Sequence, residues 1–247
     1  KEEGEKKGKQ RRKEEGKSKQ KNHVELVADF CNIVNKNKNH TKNIVITLGA
    51  TRSSIDDIRF IQNTSSGKTG WGVACDLYRR GHEITVVSGI TTAIPEFEIP
   101  LVIFAPEPDE MLAELVALSS CDIGVWIHCA AVLDYISHEV YDGKISSGSD
   151  DLQINLVKAK KHILELRKKC DGAIRIGFKL ESGVWEDELL RKAKIQITES
   201  KMTAVVANRL EDLSSSDLRG FLVDKDDNVV KLENSDALES EIRRLIK

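Results

Sequence analysis

Short apolar runs alternate with amphipathic segments along the chain from residue 42 onward. The apolar runs are rich in Val and Ile, which is typical of strands buried in a parallel sheet. The segments between them carry apolar residues three or four positions apart, which predicts helices packed on the faces of that sheet. The predicted strands span residues 42–49, 82–89, 101–106, 122–132, 152–157, 173–180 and 202–208. The predicted helices span residues 23–34, 67–81, 109–120, 158–169, 184–200 and 235–247.

Two signals near the C-terminus extend this pattern. Residues 220–233 hold two apolar runs joined by an Asp-Asp-Asn turn, which predicts a β-hairpin. Ser235 or Asp236 is expected to cap the last helix. The alternation of strands and helices predicts an α/β fold: a Rossmann-like, mostly parallel sheet with helices on both faces, plus the C-terminal β-hairpin. Residues 23–247 are expected to form a single domain, because no clean linker follows residue 40.

Residues 1–22 differ in composition from the rest of the chain. They contain no apolar side chain, and ten Lys or Arg residues stand against five Glu residues. Such a segment buries too little apolar surface to offset its chain entropy, which predicts a disordered charged tail. A nucleic-acid-binding arm is the alternative, but the mixed charges argue against it. No nucleic-acid partner is therefore expected.

The chain also lacks the patterns of membrane and secreted proteins. No apolar run approaches the roughly 18 residues of a membrane span. The N-terminal segment has no apolar core of the kind found in signal peptides. A cytoplasmic location without a membrane partner is expected.

The stretch NTSSGKTG, residues 63–70, resembles the end of a P-loop. A Walker A loop requires a glycine five residues before its second glycine, but Gln62 occupies that position, so the stretch is not a Walker A loop. A single serine here would be interpreted as a helix cap. The whole cluster favours phosphate binding, because the free N–H groups and the dipole of a helix N-terminus attract anions. The cluster comprises Asn63, Ser65, Ser66, Gly67 and Lys68.

A nicotinamide-dependent reductase is a second hypothesis for a Rossmann-like sheet. The turn after the first strand reads GATRSS, however, and not the G-x-G-x-x-G of dinucleotide-binding proteins. The second strand ends in Ser88-Gly89, where an NAD site needs an acidic residue for the ribose. Reductase chemistry therefore remains a minor alternative.

Two further residues are ambiguous when they are considered alone. Asp134 follows a buried strand, where its carboxylate could hold Mg²⁺ on a nucleotide triphosphate or simply cap a loop. Lys144 lies in the Gly- and Ser-rich loop 142–151 and is by itself a surface lysine. Neither residue identifies a function without a wider pattern.

The segment from Thr51 to Gly70 resembles the signature of phosphopantothenoylcysteine synthetases, also called phosphopantothenate–cysteine ligases. That signature reads Thr-Arg-x-x-Ile-Asp-x-(Val/Ile)-Arg-(Phe/Tyr)-Ile-x-Asn-x-Ser-Ser-Gly-Lys-x-Gly, and the chain meets it at nearly every position. Further matches follow in order, namely AAVLDY at 130–135, GKI at 143–145, GFKLE at 177–181 and VVAN at 205–208. The resemblance covers essentially residues 42–247, and the first motif is long and specific.

The resemblance implies a ligase domain of coenzyme A biosynthesis. Enzymes of this family activate the carboxylate of 4'-phosphopantothenate with a nucleoside triphosphate, which gives an acyl-nucleotide and pyrophosphate. The amine of L-cysteine then displaces the nucleoside monophosphate and forms the amide of 4'-phosphopantothenoylcysteine. Mg²⁺ accompanies the nucleotide in this reaction.

By position, the resemblance also implies residue roles. Asn63, Arg59 and Lys144 are implied in catalysis, with Asn63 orienting the carboxylate and Lys144 meeting phosphates from a mobile loop. The residues implied in nucleotide binding are Gly49, Ala130, Asp134, Phe178 and Lys201, and Asp134 is also implied at the metal. The residues implied in phosphopantothenate binding are Asn63, Ser65, Ser66, Gly67 and Lys68.

Departures from the family pattern concern the nucleotide base. KISS at 144–147 replaces the Lys-Ile-Lys-Lys of bacterial fused enzymes, and GFKLES at 177–182 replaces Gly-Phe-Ala-Ala-Glu-Thr. KISSG and FKLE look nearer to the eukaryotic and stand-alone forms. Because bacterial relatives use CTP and the human-type enzyme prefers ATP, these changes leave the choice of base open. CTP is the expectation and ATP is the alternative. The family also implies a homodimer and a candidate upstream partner, the phosphopantothenoylcysteine decarboxylase.

Overall fold

An eight-stranded sheet runs through the part of the chain that the computed structural model describes, which comprises residues 41–148, 151–214 and 219–247. The strands are β1 (Asn43–Leu48), β2 (Arg52–Ser54), β3 (Phe60–Gln62), β4 (Glu83–Ser88), β5 (Leu101–Phe104), β6 (Val125–His128), β7 (Tyr135–Ser137), β8 (Leu156–Lys158), β9 (Ile174–Glu181), β10 (Ala204–Arg209), β11 (Gly220–Asp224) and β12 (Val229–Leu232). The helices are α1 (Lys68–Arg79), α2 (Pro108–Leu118), α3 (His162–Glu165), α4 (Glu186–Ser200) and α5 (Ser235–Leu245). The predicted tail at residues 1–22 and the predicted helix at residues 23–34 lie outside the described residues.

The sheet has the strand order β12-β11-β10-β9-β6-β1-β4-β5. Neighbouring strands from β10 to β5 are parallel, whereas β11 pairs antiparallel with both β10 and β12. The chain proceeds from β1 outward to β4 and β5, and then returns to start the other half at β6. The strand order therefore reverses between β1 and β6, and in open α/β sheets ligands bind beyond the carboxyl ends of the strands at such a point.

Helices cover both faces of this sheet because each face carries apolar side chains. On one face, α1 packs against β1, and α5 packs against α1 and β12, in a buried cluster that includes Ile44, Ile46 and Leu48. Gly70 of α1 allows a close approach there, since a Cβ atom on it would lie 2.4 Å from Cβ of Leu48. On the other face, α4 packs against β10 and β11. The predicted Rossmann-like α/β fold and the C-terminal hairpin are thus confirmed.

Two predicted elements of the second half are wrong in extent. The strand expected at residues 152–157 is reduced to β8, which pairs with β7 in a separate two-stranded sheet. All three residues of β8 are exposed, so its alternating pattern does not reflect a buried face. The helix expected at residues 158–169 is reduced to α3, whose N-cap residue Lys161 makes no side-chain capping hydrogen bond. The consecutive basic residues 167–169, which the prediction placed in the helix, follow α3 instead.

Two shorter features also differ from the sequence-based expectation. Residues 52–62, expected as loop, contain an antiparallel pair of three-residue strands, β2 and β3. Asn234, and not Ser235 or Asp236, caps α5, because its side chain accepts a hydrogen bond from the backbone N–H of Ala237 at 2.9 Å.

Among the described residues, no helix is both long enough and apolar enough to cross a bilayer.

Candidate functional site

The segment after β1 joins three strand ends at the point where the strand order reverses. The backbone N–H of Ala50 donates to the carbonyl of Ile90 at 2.8 Å, beyond the end of β4. The N–H of Ala131, beyond the end of β6, donates to the carbonyl of Gly49 at 2.8 Å. Gly49 has φ 79°, and a Cβ atom on it would lie 2.6 Å from the carbonyl oxygen of Ile90. Only glycine fits this position, so backbone alone forms the floor of the site here.

The N-terminus of α1 lies directly on that floor. Gly67 caps the helix in the left-handed region at φ 78°. A Cβ atom on Gly67 would lie 2.7 Å from Cγ2 of Thr91 and 3.6 Å from Cα of Gly49. Gly49, Gly67 and Thr91 are therefore in mutual contact, which brings the helix N-terminus to the strand ends.

The two serines before Gly67 shape the turn into α1. Oγ of Ser65 accepts from the N–H of Gly67 at 3.4 Å, and Oγ of Ser66 accepts from the N–H of Lys68 at 3.3 Å. Both bonds are long, and neither serine caps the helix in the usual sense. Lys68 is exposed at the first position of α1. The N–H groups, hydroxyls and ammonium group provide several donors for one anion.

Asn63 lies over the end of β6. Its Nδ2 donates to the carbonyl of Ala131 at 3.2 Å, and the residue is half-buried. Ala130 is next to this anchor, and its own N–H donates to Oγ1 of Thr47 at 3.2 Å. Asn63, Gly49, Gly67 and Ala130 thus share one edge of the sheet.

A second cluster connects the β2–β3 turn to the loop that carries Lys144. The guanidinium of Arg59 contacts Oδ2 of Asp56 at 2.7 Å and also donates to the carbonyl of Ile145 at 3.3 Å. The N–H of Ile145 donates to the same carboxylate at 3.1 Å. Lys144 itself is exposed, so the residue beside it is anchored while its ammonium group reaches solvent.

Asp56 is the centre of this second cluster. Burial raises the pKa of its carboxyl, but backbone N–H bonds from Ile145, Ile58 and Arg59, together with the Arg59 charge, outweigh burial and hold the pKa at about 2. The group therefore stays ionised under ordinary conditions and keeps its acceptors available to Arg59 and to the loop.

Hydroxyl groups of Thr51, just before β2, and of Ser53 in β2 hold the segment that follows β6. Oγ1 of Thr51 accepts from the N–H of Leu133 at 2.9 Å, and Oγ of Ser53 accepts from the N–H of Ser137 at 2.9 Å. Asp134 lies between these two attachments and is exposed. Its backbone is therefore positioned while its carboxylate faces solvent.

The side chains around Asp134 limit how a magnesium ion could bind there. The described residues contain no group of three or more His, Cys, Asp or Glu side chains that could hold a metal. A single exposed carboxylate fits Mg²⁺, since this ion keeps several waters and is commonly bound through one or two carboxylates plus substrate phosphates. A single carboxylate does not fit a metal ion that is held by protein side chains alone.

Phe178 is the fifth of the eight residues of β9, one position beyond the partner of the last residue of β6, and its side chain packs against the core on the α1 and α5 face. A cavity of about 270 Å³ lies beside β9, lined by Lys161, Ile163, Leu164, Lys179, Glu181, Lys192, Ile195, Gln196, Glu199 and Ser200. Its wall includes residues from α4, which covers the opposite face of the sheet. The structure therefore separates the Phe178 ring from this cavity, although Nε2 of Gln196 approaches the Phe178 carbonyl at 3.4 Å.

Lys201 does not lie at this edge of the sheet. It follows α4 as its C-cap with φ 52°, just before β10 begins. The amino end of β10 is opposite the carboxyl ends at which Asn63 and Gly67 lie. Its Nζ is 3.7 Å from Oδ1 of Asp171. The expectation that Lys201 shares a site with the other residues is therefore not supported, because α4 returns the chain to the far edge.

Sequence reasoning did not single out the residues that support these clusters. Asp56 stands inside the quoted motif, but only the structure reveals that it binds both Arg59 and the Lys144 loop. Thr51 and Ser53 also stand in the motif, and their hydroxyls bind a segment about 80 positions away. Arg219 carried no sequence signal, and its guanidinium donates to Oγ1 of Thr69 in the first turn of α1.

Comparison with known proteins places this architecture among characterised relatives. Residues 39–246 match the family described as DNA/pantothenate metabolism flavoprotein C-terminal domain. The coenzyme A biosynthesis bifunctional protein CoaBC of Thermococcus kodakarensis is 32% identical over 239 residues, which cover 94% of this chain and 59% of that protein. The chain thus spans well under two thirds of this relative's length.

Two solved structures have a similar fold. The C-terminal domain of a coenzyme A biosynthesis bifunctional protein CoaBC superposes with a TM-score of 0.68 at 26% identity, covering 83% of this chain and 93% of that one. A Cab2 mutant in complex with phosphopantothenate-cysteine superposes with a TM-score of 0.71 at 18% identity, covering 90% of this chain and 91% of that one. The second likeness concerns the fold alone.

Proposed function

The chain belongs to the DNA/pantothenate metabolism flavoprotein C-terminal domain family, and from that premise we propose that it joins 4'-phosphopantothenate to L-cysteine. In the first step a carboxylate oxygen of 4'-phosphopantothenate attacks the α-phosphate of a nucleoside triphosphate and displaces pyrophosphate. In the second step the cysteine amine attacks the acyl carbon, the nucleoside monophosphate leaves, and one proton is released from the nitrogen. The product is 4'-phosphopantothenoylcysteine, an intermediate of coenzyme A biosynthesis.

The position of Asn63 carries this proposal. Its amide is anchored at 3.2 Å on the Ala131 carbonyl and lies on the same floor as the anion-attracting N-terminus of α1. A neutral amide donor suits an acyl group, because it stabilises negative charge that develops on oxygen without a competing charge of its own. An amide for the acyl group beside donors for a phosphate is the combination that an acyl-nucleotide intermediate requires.

Two groups of residues bind phosphates in this proposal. Ser65, Ser66, Gly67 and Lys68 bind phosphate at the start of α1, where the helix dipole adds to the side-chain donors. Lys144 neutralises charge that grows on the α-phosphate during activation, and Arg59 and Asp56 keep its loop close to the site. Closing loops commonly complete catalytic sites in this way.

Asp134 would hold Mg²⁺ together with the nucleotide phosphates. When bound, the ion supplies positive charge that stabilises the departing pyrophosphate. The proposed place of the nucleoside is bordered by Gly49 and Ala130, at the carboxyl ends of β1 and β6, and by Phe178 in the second half of β9. CTP is the proposed nucleotide and ATP the alternative.

The proposed assembly is a homodimer in the cytoplasm, with a phosphopantothenoylcysteine decarboxylase acting next on the product. The edge strand β5 supports the dimer, because its Val102 and Phe104 side chains are 44% and 63% exposed. An exposed apolar edge strand is a surface that proteins normally cover. The printed name of the Thermococcus relative, a bifunctional coenzyme A biosynthesis protein, supports the link to a second enzyme.

Replacing Asn63 tests the proposal. Asn63→Asp keeps the size of the side chain but puts a negative charge where oxyanion character develops. We expect amide formation from 4'-phosphopantothenate, cysteine and CTP to fall by two or more orders of magnitude, as for loss of an oxyanion donor. A cooperative urea-unfolding transition of the variant would show that it still folds. Turnover like that of the unmodified protein would remove Asn63 from the mechanism.

Lys144 has a matched control in Lys201, which is also exposed but lies at the far edge. Lys144→Gln is expected to slow the phosphopantothenate-dependent release of pyrophosphate, whereas Lys201→Gln is expected to leave it unchanged. The rates are measured at saturating substrate without cysteine. Equal effects of the two substitutions would contradict the assignment of Lys144.

A further inference from the structure

Arg219 lies where β10, β6 and α1 converge, although no motif includes it. It immediately precedes β11, and its carbonyl accepts from Nδ2 of Asn208, the penultimate residue of β10, at 2.7 Å. Its guanidinium donates to Oγ1 of Thr69 in the first turn of α1. Burial raises the pKa of the Cys129 thiol, just beyond β6, to about 12, and the nearby Arg219 charge acts in the opposite direction. Arg219 thus places a positive charge beside the phosphate-binding turn.

This charge is not neutralised by the described part of the protein. No ion pair joins Arg219 to a carboxylate of residues 41–148, 151–214 or 219–247, and its Nε is buried without a hydrogen-bond partner. Thr69 is an uncharged partner, so the guanidinium keeps both charge and donor capacity. A partly buried arginine in this condition is a binding group for an anion, because Arg presents a fork of donors that matches phosphate oxygens.

A cavity next to Arg219 provides the space for a ligand. It has a volume of about 260 Å³, and Lys68, Thr69, Trp71 and Arg219 are among its lining residues. The Trp71 side chain is only 7% exposed, and its indole N–H is buried without an acceptor. Arg219 and Trp71, each of which has one buried N–H without an acceptor, are therefore both lining residues of a cavity that Lys68 also borders.

Carboxylates also border this cavity, but further along α1. Glu96 is paired with Arg79 at the end of the helix. Glu239 lies by Gly72, since a Cβ atom there would be 3.3 Å from its Oε1, one helical turn beyond Lys68. The positive end of the cavity is thus the end formed by Lys68 and Arg219.

We propose that Arg219 is a phosphate-binding residue and forms, with Lys68 and the first turn of α1, a two-cation site for a phosphate group of a substrate. Thr69 orients the guanidinium toward that group. The identity of the phosphate, on the nucleoside triphosphate or on 4'-phosphopantothenate, rests on the proposed function. The anion site itself does not, because it is defined by geometry and charge alone.

The test uses pyrophosphate as the probe and isothermal titration of the full chain. Arg219→Gln removes the charge, Arg219→Lys keeps it but loses the fork, and Thr69→Val removes the orienting hydroxyl. Arg191→Gln is the matched control, because Arg191 is an exposed arginine paired with Glu188 on α4. We expect Arg219→Gln to weaken pyrophosphate binding about tenfold or more, with Arg219→Lys and Thr69→Val intermediate and the control unchanged.

Two further readouts separate binding from a merely structural role. Pyrophosphate should raise the unfolding temperature of the unmodified protein more than that of Arg219→Gln, whatever the starting stability of the variant. In turnover, Arg219→Gln should raise KM for the phosphate-bearing substrate more than it lowers kcat. An increase in KM for the nucleotide alone would assign the phosphate to the nucleotide, and an increase for 4'-phosphopantothenate alone would assign it to that acid.

Pyrophosphate affinity within twofold of normal in Arg219→Gln would overturn the inference, as would an equal loss in Arg191→Gln. The outcome is independent of the proposed reaction. Arg219-dependent pyrophosphate binding in a chain that forms no amide would uphold the site and refute the function. Amide formation by the unmodified chain, together with unaltered pyrophosphate binding in Arg219→Gln, would uphold the function and refute the site.

Discussion

Substituting Gly67 by alanine tests whether the start of α1 is built on the floor of the site. Gly67 has φ 78°, and a Cβ atom on it would lie 2.7 Å from Cγ2 and 3.2 Å from Cβ of Thr91. Gly81 follows the same helix with φ 86°, and nothing lies within 4 Å of a Cβ atom placed there. The two glycines share a backbone conformation and differ in the space around them, so Gly81→Ala is a matched control.

The expected cost of each substitution follows from that difference. A left-handed conformation costs an L-residue roughly 1–2 kcal/mol, and this applies to both positions. Overpacking in a tight site adds roughly 1–3 kcal/mol, and this applies to Gly67 only. Gly67→Ala should therefore lower the free energy of unfolding by about 2–5 kcal/mol, against ~1–2 kcal/mol for Gly81→Ala.

Urea unfolding at constant pH measures both values, and Thr91→Ala provides a rescue. Removing the Thr91 methyl group should recover part of the loss in Gly67→Ala, because it removes the contacting atom, and should not help Gly81→Ala. Amide formation should fall in Gly67→Ala, since the first N–H groups of α1 move, and should persist in Gly81→Ala. Equal losses at the two glycines, or no recovery with Thr91→Ala, would refute the packing that we describe.

Two further predictions concern the Lys144 loop and acid stability. Asp56→Asn should loosen the Lys144 loop, because Arg59 loses its ionic partner. Limited proteolysis should then cut within residues 142–148 faster, and KM for the nucleotide should rise. Unchanged cleavage and an unchanged KM would contradict the anchoring role of Asp56. Burial lowers the pKa of His162 to about 4 from the usual 6.5. The unfolded chain therefore binds more protons than the folded chain below pH 6.5. The free energy of unfolding should fall by ~3 kcal/mol because of this group as the pH decreases toward 4. His162→Phe should flatten that part of the urea-unfolding profile between pH 7 and 4, and a profile of unchanged slope would show that His162 is not the cause.

The strands of the sheet were predictable from sequence because their burial is continuous. β1 and β4 have five of six residues buried, so their Val- and Ile-rich runs are unambiguous. The strand order, with its reversal between β1 and β6, is not contained in local patterns. It depends on which buried strands pair over long sequence separations.

The strands that differ from the sequence-based prediction are exposed or very short. β8 is exposed at every residue, and β2 and β3, with three residues each, are too short to show a period. Their pairing is fixed by tertiary contacts, such as the hydroxyl of Ser53 on the backbone of Ser137. Propensity and periodicity carry no information about such contacts.

The site was partly predictable because its chemistry is concentrated in one contiguous motif. Asn63 and Gly67 follow from that motif, and the structure brings them together with Gly49 and Ala130. The placement of Lys201 at the far edge follows from the direction of α4, which a pattern of residues does not reveal. Arg219 was missed because its role depends on a contact with Thr69, which is 150 positions away.

The most direct test of the central claim is detection of the product amide by mass spectrometry. The full chain is incubated with 4'-phosphopantothenate, L-cysteine, Mg²⁺ and either CTP or ATP, and each component is omitted in turn. The account predicts 4'-phosphopantothenoylcysteine together with equimolar pyrophosphate and nucleoside monophosphate, faster with CTP and absent when any substrate is left out. Nucleotide cleavage to the diphosphate, or no amide with either nucleotide from a folded chain, would contradict it.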